Sequence, residues 1–238
     1  MITVKKDALK IKTSDGMQSA GVLCQVAPLD NYINFPSNCH IAQTGLFSGV
    51  DLGGVERLTI KMPLLTTGIS GYPSGVTAEV FPLENFMYNA KGLKKVKFIG
   101  NYEKRKCKVH FAFSGTDLEE IDFSEFPILV SGSGYLFFHK SIKIKRIIGE
   151  IDMSDCTNCA NSFSSMNALE DVTLKKESIK NNINFTDSQL LSDASIQSII
   201  NGLAPVETSC TLQLHKDVKA KLTEEQIATI TSKNWTLA

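Results

Sequence analysis

Short segments with one spacing of apolar residues recur through the middle of the chain. In each segment, apolar residues stand at the first, fourth and sixth positions with polar residues mostly between them, and the copies begin at Leu93, Leu118, Ile148 and Leu169. Alternation of this kind is typical of a short strand with one buried face. A single unit cannot bury its apolar face alone. The pattern therefore predicts that the copies stack side by side around a continuous core and form a parallel sheet.

The start of the third copy has two solutions. Starting it at Ile148 gives spacings of 25, 30 and 21 residues, whereas starting it at Ile144 gives 25, 26 and 25. We prefer Ile148, because residues 149–154 (Gly-Glu-Ile-Asp-Met-Ser) match residues 119–124 (Glu-Glu-Ile-Asp-Phe-Ser) almost position for position. With either start, the mean spacing falls within the ~20–29 residues of leucine-rich repeats.

An aromatic residue precedes three of these strands by five to seven positions, and small polar residues fill the interval. This spacing predicts a helical or 3₁₀ turn whose aromatic side chain points into the core. Residues 45–49 (Gly-Leu-Phe-Ser-Gly) resemble residues 111–115 (Phe-Ala-Phe-Ser-Gly). The similarity indicates an early, degenerate repeat with its strand at 55–60.

Both ends of the chain and one internal stretch depart from the repeats. Asp15-Gly16 between two alternating runs predicts a hairpin, so residues 1–44 form either a cap on the repeats or a docking element. Residues 63–82, rich in Gly and Pro, are interpreted as a loop insertion. Residues 183–238 predict strands alternating with amphipathic helices, with Ser192 as an N-cap, a capping box from Thr223 to Gln226, and Trp235 in a final strand.

The predicted fold is therefore α/β. A short, irregular leucine-rich-repeat solenoid at 45–182, carrying the insertion at 63–82, lies between a β-rich N-terminal element at 1–44 and a strand–helix C-terminal cap at 183–238.

The composition is that of an ordinary soluble globular protein, with 42% hydrophobic and 21% charged residues in a chain of 238. Lys+Arg and Asp+Glu number 25 each, and the resulting net charge of zero argues against a general affinity for nucleic acid. A basic cluster at 94–97 and 104–108 is interpreted as a solvated face, with a binding patch as the alternative. We find no signal peptide and no apolar run of about 18 residues. We therefore expect folding in the cytoplasm and no membrane span.

Six cysteines are spread along the chain, at positions 24, 39, 107, 156, 159 and 210. In a long chain without a secretion signal, we expect reduced and mostly buried thiols. Cys156 and Cys159 are the only close pair. A zinc site would need a second pair or two histidines at ligand spacing, and the four histidines are scattered singly. We therefore expect no metal and no cofactor.

The chain contains no G-x-S-x-G, P-loop, H-E-x-x-H or G-x-G-x-x-G motif. Acidic residues crowd two of the strands, at 119–125 and 150–155. Paired carboxylates could serve a glycosidase. In a repeat they decorate the exposed sheet face, where we assign Asp122 and Asp152 to equivalent outward positions, and ladders of Asp and Lys there could bind sugar or calcium. The candidate binding residues are Tyr72, Tyr102, Glu120, Asp122, Tyr135 and Asp152.

Residues 160–169 (Ala-Asn-Ser-Phe-Ser-Ser-Met-Asn-Ala-Leu) resemble the BspA-like leucine-rich repeats of bacteria, in which a strand unit alternates with a Phe-containing turn rich in Ser, Asn and Cys. Residues 191–203, 214–218 and 227–238 are similar to the C-terminal end of leucine-rich-repeat proteins encoded in phages and prophages of gut Firmicutes. The resemblance spans residues 45–238, with irregular spacing and few copies. It implies an adhesion or recognition module and brings no catalytic residues.

These observations favour a non-enzymatic recognition or structural protein. We expect a tail-associated component of a phage or prophage virion, made in the host cytoplasm. Its expected partners are other tail proteins and a bacterial surface glycan or protein, and a homo-oligomer is one option for its assembly. The alternative is a bacterial leucine-rich-repeat interaction module of the cytoplasm or cell surface. A third hypothesis is a carbohydrate-active enzyme that uses the acidic strands.

Overall fold

The computed structural model describes residues 10–13, 16–19, 31–34, 45, 47–52, 55–62, 80–100 and 105–238. Within these residues the chain is an α/β protein whose strands are mostly parallel and form a curled sheet, with few helices. The strands are β1 (Lys10–Thr13), β2 (Gly16–Ser19), β3 (Asn31–Asn34), β4 (Arg57–Lys61), β5 (Val80–Pro82), β6 (Lys95–Ile99), β7 (Arg105–Lys108), β8 (Glu120–Glu125), β9 (Ile128–Ser133), β10 (Arg146–Asn158), β11 (Asp171–Leu174), β12 (Ile183–Phe185), β13 (Cys210–Leu214) and β14 (Trp235–Leu237). The helices are α1 (Asp193–Gly202), α2 (Lys216–Lys219) and α3 (Glu224–Ser232).

The main sheet consists of two columns of parallel strands. The first column contains β3, β4, β6, β8, the start of β10, and β11, and the second contains β5, β7, β9 and the rest of β10. Strand β10 belongs to both columns, because residues 146–148 pair with β8 and residues 151–158 pair with β9. In the first column Lys95, Glu120, Arg146 and Asp171 are equivalent, at spacings of 25, 26 and 25 residues.

A third column, the turn column, is built from the turns that lead into the first-column strands. Backbone hydrogen bonds join each turn to the next: Phe47 N to Phe86 O (2.7 Å), Met87 N to Ala112 O (2.7 Å), Phe113 N to Phe137 O (2.9 Å) and Phe138 N to Ser162 O (2.8 Å). Most repeats therefore contribute two strands and one turn, and equivalent backbone groups of successive repeats are hydrogen-bonded in all three columns.

The core lies between the columns and is built from equivalent apolar residues stacked on one another. The residues before the first-column strands, Leu93, Leu118, Ile144 and Leu169, are at most 2% exposed. Aromatic rings form a second stack, with centroid distances of 5.3 Å for Phe98–Phe123, 5.8 Å for Phe113–Phe138, 5.4 Å for Phe138–Phe163 and 4.8 Å for Phe163–Phe185. The prediction of inward-pointing aromatic residues in the turns is confirmed by Phe86, Phe113 and Phe163. Each such ring contributes about 1.5–3 kcal/mol by its burial.

The preferred start of the third copy, Ile148, is wrong. Ile144 is fully buried, whereas Ile148 is 38% exposed and pairs with Asp122 on the sheet face. The sequence copy at 148–154 lies mainly in the second column, where Ile151 pairs with Ile128. The error has a physical cause: strands of both columns alternate apolar and polar residues, so sequence similarity does not distinguish the columns.

At the N-terminal side, the predicted hairpin is confirmed, since β1 and β2 pair antiparallel with Thr13 opposite Gly16. Strand β3, within the predicted N-terminal element, pairs with β4 and extends the main sheet. Strand β5 occupies the last three residues of the predicted insertion and pairs with β7, so the insertion is shorter at that end than predicted. Residues 63–79, with Tyr72, and 101–104, with Tyr102, lie outside the described residues.

At the C-terminal side, β12, β13 and β14 form a parallel three-stranded sheet. The predicted caps are confirmed: the Ser192 side chain accepts from the amide of Ser195, and Thr223 and Gln226 make both hydrogen bonds of a capping box. The indole of Trp235, 3% exposed, donates to the carbonyl of Ala204 at 2.8 Å. None of the helices that the structure describes is long and apolar enough to cross a membrane.

Candidate functional site

The exposed face of the first column carries charges that alternate in sign from repeat to repeat. Just before the strands, Glu56, Lys94, Glu119, Lys145 and Glu170 follow one another in register. At the next position the order is Arg57, Lys95, Glu120, Arg146 and Asp171, which alternates in sign from Lys95 onward but begins with two cations on adjacent strands. Opposite charges on directly adjacent strands attract and like charges repel, by about 0.2–1 kcal/mol for each pair. The alternation therefore favours this order and register of the strands.

Two predicted binding residues, Glu120 and Asp122, take part in this alternation. Glu120 accepts a hydrogen bond from Arg146 at 2.5 Å and lies 3.9 Å from the ammonium of Lys95. Asp122 lies 3.8 Å from Lys97 and accepts from the amide of Ser124 at 2.8 Å. The carboxylate of Glu125, 2.6 Å away, raises the pKa of Lys97. These carboxylates are thus neutralised by cations of neighbouring strands.

Asp117 joins three repeats at one end of the charged face. Its carboxylate lies 3.0 Å from Lys143 and 3.8 Å from Lys91, and it accepts from the amide of Gly92 at 3.3 Å. Burial raises the pKa of Asp117, but the hydrogen bonds from Lys143 and Gly92 and the two lysine charges outweigh burial and leave it below its usual value.

Replacing Asp117 by Asn is expected to lower the free energy of unfolding by about 1 kcal/mol at pH 7, because two surface ion pairs are lost. Since the pKa of Asp117 is lowered by folding, its contribution is complete above 3.8 and disappears as the pH falls through the folded-state pKa. Urea unfolding of both proteins across the acid range measures this. The exposed control Glu207→Gln should show no such pH-dependent difference in the free energy of unfolding from the unmodified protein. A difference for Asp117→Asn that persists well below pH 3.8 would contradict the assignment.

Asp152, a third predicted binding residue, is not equivalent to Asp122. It pairs with Leu129 in the second column and is 3% exposed. One carboxylate oxygen accepts from the amide and hydroxyl of Ser154, at 3.0 and 2.6 Å, and the other accepts from Lys175 at 2.6 Å. The assignment of Asp152 to an outward ladder position is therefore wrong, because the bulge in β10 moves this residue out of the first column.

A groove of about 770 Å³ lies beside that bulge, lined by Phe123, Ser124, Pro127, Ile128, Gly149, Glu150 and Asp152. Glycoside hydrolysis uses two carboxyl groups facing each other across the substrate. In this groove both oxygens of Asp152 hold Ser154 and Lys175, while Glu150 is exposed at the surface. The arrangement suits Asp152 to holding two strands and the following loop together.

His139 and Ser164 form a close pair in the turn column, with Nδ1 and Oγ 2.7 Å apart. The Ser164 hydroxyl oxygen also lies 3.1 Å from the carbonyl oxygen of Asn161, so its single proton has two acceptors within reach, that carbonyl and Nδ1 of His139. Burial, and then the charge of Lys140, lower the pKa of His139. With Ser164 only 6% exposed, the pair links two neighbouring turns inside the packed column.

The turns of the turn column place residues in the left-handed backbone conformation at two positions four residues apart. The second position holds Gly49, Asn89, Gly115, Lys140 and Ser165 in successive turns, and the first holds Gly45, Asn85, Phe111 and Leu136. Glycine and asparagine adopt this conformation readily, whereas other residues lose about 1–2 kcal/mol. Phe111 (φ +56°) and Leu136 (φ +61°) therefore place bulky side chains at the first left-handed position. The two earlier turns have Gly45 and Asn85 there, which adopt this conformation readily.

Phe111 belongs to a row of half-buried aromatic side chains across three turns, Tyr88, His110, Phe111 and Tyr135, which we call the aromatic strip. The ring of Phe111 lies 5.5 Å from Tyr88 and 4.4 Å from His110, and His110 lies 5.9 Å from Tyr135. Tyr135, predicted as a binding residue, thus lies at one end of a continuous aromatic surface. Strained residues that persist in a fold point to a function for the side chain.

Sequence reasoning missed Tyr88, His110 and Phe111, although a signal was present. Aligning residues 45–49 with 111–115 places Phe111 opposite Gly45. A phenylalanine at a position that is glycine in another copy indicates a side chain that packs outside the core of the repeats. In the structure, the ring of Phe111 lies in the half-buried aromatic strip.

Among the described residues, no group of three or more His, Cys, Asp or Glu side chains could hold a metal ion. The chain matches no protein-family model, no curated protein and no solved structure. The candidate functional site therefore rests on the geometry of the aromatic strip.

Proposed function

We propose that this protein is a non-enzymatic recognition protein that binds glycans of a bacterial surface through the aromatic strip. The repeats would form a short, irregular solenoid of the leucine-rich-repeat type. This finer description of the fold is supported by the three stacked columns and the recurrent spacings of 25 and 26 residues.

The observation that carries the proposal is Phe111 in a left-handed turn position, in contact with Tyr88 and His110. Tyrosine and phenylalanine offer large, rigid contact surfaces at a small cost in conformational entropy, and the tyrosine hydroxyls add hydrogen bonding. A row of such rings suits the C–H faces and hydroxyl groups of successive sugar units. The neutralised charges of the neighbouring sheet face leave this strip as the surface best suited to an uncharged or weakly charged ligand.

The variant Phe111→Asn separates recognition from folding. Asparagine accepts the left-handed conformation, so the free energy of unfolding should change by less than about 1 kcal/mol. Loss of the central ring should weaken glycan binding about tenfold or more. The measurement is binding to arrayed bacterial surface polysaccharides, followed by calorimetry with the strongest binder.

The matched control is Asn85→Gly, at the same backbone position one turn earlier, which should bind as the unmodified protein does. Equal binding by Phe111→Asn and the unmodified protein would refute the role of the strip. Binding to no polysaccharide, together with capture of a purified surface protein by the strip, would replace the glycan by a protein ligand.

We further propose that the protein is a tail-associated component of a phage or prophage particle, in contact with other tail proteins. This location is supported by the resemblance of residues 191–238 to prophage-encoded proteins. Electron microscopy of particles labelled with an antibody to this chain tests it: label at the tail is expected, and particles free of label would favour a bacterial interaction protein instead.

A further inference from the structure

Charges of one sign accompany each first-column strand from β6 to β11. The cations are Lys94, Lys95 and Lys97 at β6 and Lys145 and Arg146 at the start of β10, and the carboxylates are Glu119, Glu120, Asp122 and Glu125 at β8 and Glu170 and Asp171 at β11. Strand pairing places these strands in the order β6, β8, β10 and β11. The exposed face of the first column, the charged face, therefore carries four stripes of alternating sign: positive, negative, positive and negative.

Four alternating stripes are complementary to their own reversed order. A two-fold axis that runs parallel to the strands, midway between β8 and β10, would place a second copy of the chain face to face with the first. It would set β6 opposite β11 of the second copy and β8 opposite β10, so that every positive stripe meets a negative one. A two-fold axis across the strands would instead set each stripe against its like, and like charges repel. The charges therefore favour one of the two arrangements.

The same axis keeps the rows of the charged face in register. Lys95, Glu120, Arg146 and Asp171 are equivalent on neighbouring strands. Rotation about an axis parallel to the strands does not change a residue's position along them, so Arg146 of each copy faces Glu120 of the other and Lys95 faces Asp171. Each contact then occurs twice, as a two-fold interface requires. The row just before the strands pairs likewise, with Lys145 facing Glu119 and Lys94 facing Glu170.

Side chains of these rows are accessible from outside. The side chains of Lys145 and Arg146 are 53% and 52% exposed, and that of Glu119 is 36% exposed. Within the chain, Lys145 lies 3.7 Å from Glu119, and Arg146 donates to Glu120. An arginine has five N–H donors and a carboxylate has about four acceptor positions. Pairing within the chain therefore leaves hydrogen-bonding capacity for a second copy.

An apolar side chain lies in the middle of the charged face. Ile148 is 38% exposed and pairs with Asp122 of β8, next to the position of the axis. Neighbouring strands are about 4.8 Å apart, so the two-fold rotation brings the Ile148 side chains of both copies close to the axis and to each other. Contact between them would remove from water an isoleucine that the single chain leaves exposed among charges.

We propose that the charged face is the interface of a homodimer, in which two copies of this chain pack face to face about the axis between β8 and β10. The four strands span about 15–20 Å, which gives an interface smaller than the ~800 Å² per partner of standard complexes. In such an interface complementary charges determine the orientation and the choice of partner more than the affinity. The dimer is therefore weak and reversible, with a dissociation constant of about 10 μM or more.

Sedimentation velocity of the full-length chain over a range of about 1–500 μM measures the association. We expect a reversible monomer–dimer equilibrium. Its dissociation constant should rise about tenfold when NaCl is increased from about 0.05 M to about 0.5 M, because salt screens the facing charges.

Two charge reversals test the pairing itself. Glu119→Lys and Lys145→Glu each set like charges opposite each other in the dimer, so each variant alone should be monomeric where the unmodified chain is dimeric. An equimolar mixture of the two should form a mixed dimer, because the new lysine of one variant then faces the new glutamate of the other. Damage to the fold of either variant would not produce this recovery.

A variant without any change of charge, Ile148→Thr, should weaken the dimer about threefold or more, because less apolar surface is buried at the axis. The matched control is Lys106→Glu, which reverses one partner of the 3.1 Å ion pair with Asp155 in the second column and should dimerise as the unmodified chain does. Phe111→Asn should also dimerise normally, because the aromatic strip lies in the turn column. Loss of dimerisation and loss of glycan binding are thus distinguishable.

Three results would overturn the proposal: an unmodified chain that stays monomeric throughout the concentration range, a dimer whose dissociation constant does not respond to salt, and folded charge variants whose mixture stays monomeric. Unchanged dimerisation of Ile148→Thr would rule out the axis between β8 and β10. Circular dichroism of each variant shows whether it is folded.

Discussion

Replacing Phe113 by Ala is expected to lower the free energy of unfolding by about 3–5 kcal/mol. Phe113 is fully buried, and its ring lies 5.8–5.9 Å from the rings of Phe98, Phe123, Phe137 and Phe138. These neighbours come from strands and turns of three successive repeats, so the side chain couples those repeats through the core. The cavity left by truncation lies at the centre of the described aromatic stack.

Urea unfolding followed by circular dichroism measures this loss. Phe113→Leu, which keeps most of the volume, should cost at most about 1.5 kcal/mol. Phe111→Ala, two residues away and on the half-buried strip, should cost less than Phe113→Ala, because the ring of Phe111 is only half-buried and its removal leaves no enclosed cavity. Equal losses for Phe111→Ala and Phe113→Ala would mean that the stack does not couple the repeats as described.

Replacing Gly149 by Ala is expected to cost about 2–4 kcal/mol. Gly149 has φ +96°, and a Cβ atom would lie 2.8 Å from the carbonyl carbon of Phe123 and 2.9 Å from the amide nitrogen of Ser124. Both contacts are to backbone of the adjacent strand β8, which cannot move aside as a side chain can. Gly149 lies where β10 passes from the first column to the second, so the substitution acts on that crossing.

Gly132→Ala is the matched control, because Gly132 has φ +74° in β9 but nothing within 4 Å of the added Cβ. It should cost only the backbone strain of about 1–2 kcal/mol. The difference between the two variants, measured by urea unfolding under the same conditions, isolates the close approach of β10 and β8. Equal free energies of unfolding for Gly149→Ala and Gly132→Ala would show that the passage of β10 between the columns does not depend on the close approach of β10 to β8.

Much of the fold could be predicted from local sequence features. The alternation at 93–98 and 118–123 identified Leu93, Leu118, Ile121 and Phe123 as core residues, and all are at most 2% exposed. The caps at Ser192 and Thr223 were also predictable, because an N-cap side chain bonds to an amide only two or three residues away. Such features depend on neighbours in the chain, which the sequence contains in full.

The candidate site was predicted less completely. Of the proposed binding residues, Tyr135 lies in the aromatic strip, Glu120 and Asp122 are ion-paired on the sheet face, and Asp152 is buried. The lysine or arginine that neutralises each carboxylate is more than 20 residues away in the chain. Whether each cation comes close to its carboxylate depends on the register of the stacked strands. The sequence pattern allowed two registers that differ by four residues.

The sequence by itself determined that this chain is built from stacked strand repeats and which of their faces is buried, because burial of alternate residues follows from the period of a strand. Only the tertiary structure decided that β10 crosses between two columns, that the acidic residues are paired, and that Phe111 projects into an aromatic strip. The reason is that two registers satisfied the same apolar pattern. The choice between them is made by contacts summed across neighbouring repeats, among them the close approach of Gly149 to the backbone of Phe123 and Ser124 in β8.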